Sequence, residues 1–201
     1  MATTTPNYGW PVPTSTDYVK DGATAIEALG DAIDATVFGL GTGLTLVTAQ
    51  SFTTSAAVNV NSCFTSTYQN YRVLIYADPS ADVNLDFRFR ASGADNSTSN
   101  YKYFMPNSAY DGTGTTNLNG NGTTYIRIGS SSTNHLPSTF SMDFFSPQLA
   151  ANSYLNYSHA GEARSGSGGG TFNATTQFDG FSIFPTAGTL TGTLKVYGYK
   201  N

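Results

Sequence analysis

The chain has 201 residues, of which only 11% are charged and about a third are Ser, Thr or Asn, a composition suited to strands and turns more than to helices. Its net charge of -4 supplies no basic field for phosphates, which argues against nucleic acid or an anionic membrane as the main partner. A single cysteine, Cys63, rules out an internal disulfide and a thiolate metal cluster within one chain.

Aromatic residues reach 13%, enough bulky apolar surface to lift the chain out of the disordered class. The length suits one domain of common size plus an appendage. The opening MATTTPNYGWPVP lacks the basic and apolar regions of a secretory signal, and no stretch reaches the roughly 20 apolar residues of a membrane span. The expectation is a protein made in a cytoplasm and soluble until assembled, with no membrane insertion and no cofactor.

Residues 1–20 hold Pro6, Pro11 and Pro13 around Tyr8 and Trp10. Proline there forbids a helix and favours an extended, polyproline-like arm, which cannot bury Tyr8 and Trp10 against itself. An aromatic pair on such an arm suits docking to another protein.

Residues 21–43 read as a short helix and linker, with the helical pattern running from about Asp17 to Phe38. Val19, Ile26, Ile33 and Leu40 are spaced by seven, and Leu29 occupies the intermediate slot. Asp17 or Asp21 is a candidate cap, and Gly39, Gly41 and Gly43 end the pattern. Ile at successive core positions permits trimers as readily as dimers, so Val19, Ile26, Leu29 and Ile33 are the candidate oligomer interface. An amphipathic helix lying on its own β domain is the alternative.

Residues 44–201 follow a period of two. In VNLDFRFR, Val83, Leu85, Phe87 and Phe89 fall on one face and Asn84, Asp86, Arg88 and Arg90 on the other, predicting one buried and one wet face. Further strands are predicted near 57–60, 71–77, 100–105, 123–129, 138–145, 156–163, 178–185 and 192–199. Turns are predicted at Asp78-Pro79, Ser92-Gly93, Asp111-Gly112, Asn117 to Gly122, Gly166 to Gly170 and Gly188. The fold expected is all-β: a jelly-roll-like antiparallel β-sandwich preceded by the arm and one short α-helix.

No catalytic signature is present. His135 and His159 are the only histidines, and H-E-x-x-H, G-x-S-x-G and Walker patterns are missing. Cys63 beside Phe64 reads as packing. Asp82 and Asp86, with Asp78 near, form at best a crude glycosidase-like arrangement; pairing of Asp86 with the arginines of its own face is the simpler expectation. Tyr101, Tyr103, Tyr110 and Tyr154 among Asn and Ser are candidate contacts for a sugar ring.

The stretch PNYGWPVPTSTDYVKDGATAIEALGDAID, residues 6–34, resembles the N-terminal segment of tail-associated and other minor structural proteins of bacteriophages. CFTSTYQNYRVLIY, LDFRFRASGADNSTSNYKY and GTLKVYGY, within 63–199, more loosely resemble a phage appendage domain. The resemblance implies a non-enzymatic homotrimer on the virion, on tail or capsid. Tyr8, Trp10, Pro11 and Pro13 would then form the attachment arm to other virion proteins, and the β domain would face outward, available to host surface glycan. A short tail fibre or minor tail protein is the first expectation and a capsid cement or decoration protein the second; a glycan depolymerase is the most distant.

Overall fold

Alternation of buried and less buried side chains along the strands Asn70–Pro79, Tyr101–Ala109, Ser138–Phe145, Ser153–Gly161 and Leu190–Tyr199 sets the architecture. The computed structural model describes residues 3–14, 16, 18–39, 43–130 and 137–200, so Asp17, Leu40, Gly41 and His135 lie outside the described residues. The chain divides into two compact units, Met1–Gly43 and Leu44–Asn201.

In the first unit the predicted extended arm is instead folded back. Strands β1 (Thr3–Thr4) and β2 (Pro11–Val12) pair antiparallel. The turn is closed by Thr5 N–H donating to the Trp10 carbonyl at 2.9 Å and Trp10 N–H donating to Thr5 Oγ1 at 3.0 Å. Gly9 takes φ +67° in this turn, where a side chain would be strained. A short 3-10 turn, Val19–Asp21, leads into helix α1 (Gly22–Gly39). The hairpin packs on α1, and the Trp10 indole Nε1–H donates to Thr36 Oγ1 at 2.9 Å. Proline excluded a helix, as expected, but Trp10 finds its partner 26 residues away, beyond the reach of any local pattern.

The second unit contains, in chain order, β3 (Leu44–Ser55), β4 (Val58–Val60), β5 (Asn70–Pro79), β6 (Asn84–Ala91), β7 (Ala94–Asp95), β8 (Tyr101–Ala109) and β9 (Thr115–Thr123). It continues with β10 (Ile126–Ser130), β11 (Ser138–Phe145), β12 (Ser153–Gly161), β13 (Arg164–Phe172), β14 (Gly180–Pro185) and β15 (Leu190–Tyr199). They form a jelly-roll-like antiparallel β-sandwich. The larger sheet has the order β3-β15-β5-β11-β12-β13-β8-β9; the smaller has β10-β6-β14-β4, with β7 beside β6.

Inward residues of the two sheets meet in an aromatic core. Phe87 and Phe89 on β6 and Phe181 on β14 face Tyr71 on β5, Phe144 on β11, and Tyr101 and Phe172 on β8 and β13, with Phe64 and Phe178 added from loops. Phe89 stacks on Phe178 at 4.5 Å and meets Phe87 edge-on at 4.9 Å; Phe64 packs on Phe144 at 5.4 Å across the sheets. Such pairs add to the transfer of apolar area out of water. The buried tyrosines keep their hydroxyls satisfied: Tyr71 donates to the Thr65 carbonyl at 2.7 Å and Tyr101 to the Asn96 carbonyl at 2.8 Å.

The outer face of the smaller sheet is less wet than the β6 alternation predicts, since Asp86 and Arg90 are buried. Arg127 on β10 donates to both Asp86 oxygens, at 2.9 and 3.2 Å. Arg90 donates to Asn59 and Asn61, each at 2.9 Å, and to Asp95. The Arg88 guanidinium lies 4.6 Å from the Phe184 ring centre. Long side chains thus seal their own face, each charge paired as burial demands.

Three predicted turns lie in strands, Asp78-Pro79 at the end of β5 being one. Residues 117–122 lie in β9, and Gly166 to Gly170 form the middle of β13, between β12 and β8. Gly120, Gly166, Gly168 and Gly170 have little room beside them: a Cβ on Gly168 would sit 2.3 Å from the Phe104 carbonyl oxygen and 2.6 Å from Met105 Cβ.

Two substitutions test this core. Phe89→Ala should lower unfolding free energy in urea by about 3–5 kcal/mol. Gly168→Val should abolish the cooperative transition or shift it to far lower denaturant, whereas a β13 tract that was a loose turn would tolerate it.

Candidate functional site

The residues flagged for chemistry do not converge. Cys63 is buried, and burial raises its thiol to a pKa of about 12, leaving no thiolate at neutral pH. Asp78 belongs to β5 of the larger sheet and Asp86 to β6 of the smaller. Burial raises the Asp86 pKa, opposed by its hydrogen bonds to Arg127, and the carboxylate is committed to that ion pair. Among the described residues no three His, Cys, Asp or Glu gather as metal ligands, and no helix is long and apolar enough to cross a membrane.

In the first unit the arm residues divide. Tyr8 is exposed and stacks on Trp10 with ring centres 5.2 Å apart; Trp10 and Pro11 are half-buried and Pro13 is exposed. The hairpin covers the flank of α1 that carries Ala25, Leu29, Ala32 and Thr36, all half-buried. At 100° per residue, Ile26, Ile33 and Val37 form a neighbouring stripe. Ile26 is 66% exposed, Val37 is exposed, and no residue of α1 is fully buried. Val19, in the 3-10 turn, is also exposed. Of the candidate interface residues, Leu29 and Ile33 are half-buried, while Val19 and Ile26 stand in solvent.

The tyrosines nominated for sugar contact also divide. Tyr101 and Tyr103 are buried, not surface residues. They share the inward face of β8 with Met105, and Tyr101 accepts the Phe89 N–H at 3.1 Å. Tyr110 is exposed in the turn after β8, and Tyr154 is exposed on β12.

Tyr154 belongs to the outer face of the larger sheet, the candidate binding face. Strand register sets its rows: Asn156, Gly169, Phe104 and Asn119 lie side by side across β12, β13, β8 and β9, and Tyr154, Thr171, Lys102 and Asn121 form the next row. Phe104, 54% exposed, and Tyr154, 51% exposed, rise on either side of a hollow of about 540 Å³ that Lys102, Asn121, Asn156, Gly169 and Thr171 also line. Phe104 was missed in the sequence although its alternation with Tyr101, Tyr103 and Met105 marks it as outward.

A second, larger hollow of about 850 Å³ lies over β15, β5, β11, β12 and β13. Leu74, Tyr76 and Lys195 stand above a bed of Ser141, Ser158, Ala160, Ser165 and Ser167. Of the rings that line it, Tyr76 is exposed and Phe140 is buried, so it lacks opposed aromatic walls. His159 also lines it, yet its ring is buried against Phe140, 5.8 Å between centres. Neither ring nitrogen has a hydrogen-bond partner among the described residues.

No family model matches the chain, and no curated protein matches it. Among solved structures, a galectin of Caenorhabditis elegans, LEC-6, aligns at 14% identity over 77% of this chain and 95% of its own, with a TM-score of 0.33. The A. japonicus protein CB05 aligns at 10% identity over 85% of this chain and 28% of its own, at 0.34. A bifunctional GH43-CE protein of Bacteroides eggerthii aligns at 11% identity over 64% and 18%, at 0.25. None of these likenesses is close enough to carry a function across.

Burial lowers the His159 pKa from 6.5 to about 4, so the unfolded chain takes up the proton more readily than the folded one. Stability from this residue is full above about pH 6.5 and drains as pH falls toward 4, by about 3 kcal/mol in all. Urea titrations of wild type and His159→Phe should differ by this amount in the total stability lost across that window. Parallel profiles would show that the ring is not held neutral by its surroundings.

Proposed function

We propose that the protein is a bacteriophage virion surface protein, non-enzymatic and homotrimeric. The unit Met1–Gly43 attaches it to the particle and the β-sandwich is displayed, in the role of a short tail fibre or minor tail protein that contacts the host. The observation that carries this is the stripe along α1 in which Ile26 and Val37 are exposed and Ile33 is only half-buried. An 18-residue helix without a buried residue gains little from its own unit, since isolated helices of this length are marginal in water. Packing the stripe against the same stripe of two further copies removes it from water and uses the period of seven.

The resemblance of residues 6–34 to phage structural proteins supports the particle as the site of attachment. Tyr8 and Pro13, exposed on the hairpin, remain available to another virion protein, while Trp10 holds the hairpin to α1. The β-sandwich closes its core without help and leaves a broad polar face for contact outside the particle.

Purified virions should contain the protein at a handful to a few tens of copies by quantitative densitometry. Hundreds of copies would assign it to the capsid as a cement protein instead, and absence from virions would overturn the reading. Ile26→Asp places a charge in the proposed seam, a penalty of several kcal/mol. It should remove the protein from particles while leaving the unfolding of the β-sandwich unchanged, and normal incorporation would show that the stripe is not used.

A further inference from the structure

We propose that a single ring of an acidic saccharide, one bearing a carboxylate, binds over Gly169 between the side chains of Phe104 and Tyr154. The proposal deepens the display role above, resting on it only for where the glycan comes from.

One glycine of β13, Gly169, is not required by the fold. Along β13, a Cβ on Gly166 would lie 2.7 Å from the Pro106 carbonyl oxygen, on Gly168 2.3 Å from that of Phe104, and on Gly170 2.8 Å from Ile126 Cδ1. At Gly166 and Gly168 neighbouring backbone leaves room for nothing else, and a side chain at Gly170 would have to displace Ile126. Gly169 faces the other way, where a Cβ would meet only Asn156 Oδ1 at 3.5 Å and the Leu155 carbonyl oxygen at 3.6 Å, ordinary van der Waals contact. Its φ is not in the left-handed range, so the backbone does not call for glycine either. Glycine in a central strand weakens it, and where internal packing does not demand one, the remaining reason is close approach of something outside.

What surrounds Gly169 states the chemistry of that visitor. Phe104 and Tyr154 stand two strands and one row apart, about 12 Å on the diagonal at ordinary strand spacing, and offer apolar faces to the C–H side of a sugar ring. Asn156, Asn121 and Thr171 supply amide and hydroxyl groups of the kind that pair with sugar hydroxyls. Lys102 is the only formal charge lining the hollow, on a chain of net charge -4. A lone cation without an acid in the lining complements one carboxylate and disfavours polycationic or strongly apolar occupants.

The test is binding of the full chain to an array of sialic acid and uronic acid oligosaccharides beside their neutral counterparts, with thermal unfolding measured on every variant. Wild type should bind acidic members in preference. Gly169→Leu, which fills the floor, and Tyr154→Ala should each weaken binding about tenfold or more at unchanged unfolding temperature. Lys102→Gln should erase the preference for acidic over neutral glycans, and Thr193→Ala, on β15 across the same face, should change nothing. If Gly169→Leu lowers the unfolding temperature, Gly169→Ala replaces it with the same expectation in smaller measure. No binding by wild type, equal binding of acidic and neutral members, or wild-type binding by both Gly169→Leu and Tyr154→Ala would overturn the proposal. Copy number on virions reports the display role separately, so a particle protein that binds no glycan would sink only this inference.

Discussion

Everything in the second unit depends on the aromatic contact between its two sheets. Phe87, Phe89 and Phe181 from the smaller sheet and Tyr71, Phe144 and Phe172 from the larger form one buried cluster, and without a disulfide this packing is what holds the sandwich closed. The larger sheet has eight strands and the smaller five. The inward demand therefore sets the outward chemistry. Every residue pointing into the core commits its neighbours in sequence to the opposite face, which is how β8 buries Tyr101, Tyr103 and Met105 while it exposes Lys102 and Phe104.

The first unit obeys a different constraint. It has too few residues to bury a core, and Trp10 does what it can by pinning the hairpin to one flank of α1 through Thr36, whose own hydroxyl donates to the Ala32 carbonyl at 2.8 Å. The adjoining stripe is left uncovered. One unit thus has a complete interior and an uncommitted polar face, and the other an incomplete interior. In the proposed account that contrast is a division between display and assembly.

Much of the sandwich was legible because a period of two is a local signal. VNLDFRFR, STFSMDFF and YRVLIYA each send one alternate set of apolar residues inward, although Leu74, Tyr76 and Phe145 fall on the exposed face, and the all-β jelly-roll-like class follows from that alternation. The Gly166 to Gly170 tract was not legible: glycine runs read as turns unless the neighbouring backbone is known to press against them, and that pressure comes from β8, sixty residues earlier in sequence by order of magnitude. Tyr101 and Tyr103 are buried because they share the inward alternation of β8 with Met105, which outweighs the Asn and Ser around them. The hairpin could not be foreseen from proline alone, since its anchor is a threonine on the helix. The Phe104 and Tyr154 hollow needed the register of four strands, which no single segment contains.

The claim that reaches furthest is that α1 gathers copies of the chain through its uncovered stripe. Native mass spectrometry of the purified full-length protein at micromolar concentration measures this without reference to any host or particle. The account expects one dominant species containing three 21.3 kDa chains. A protein that remains a single chain across the concentration range would contradict it.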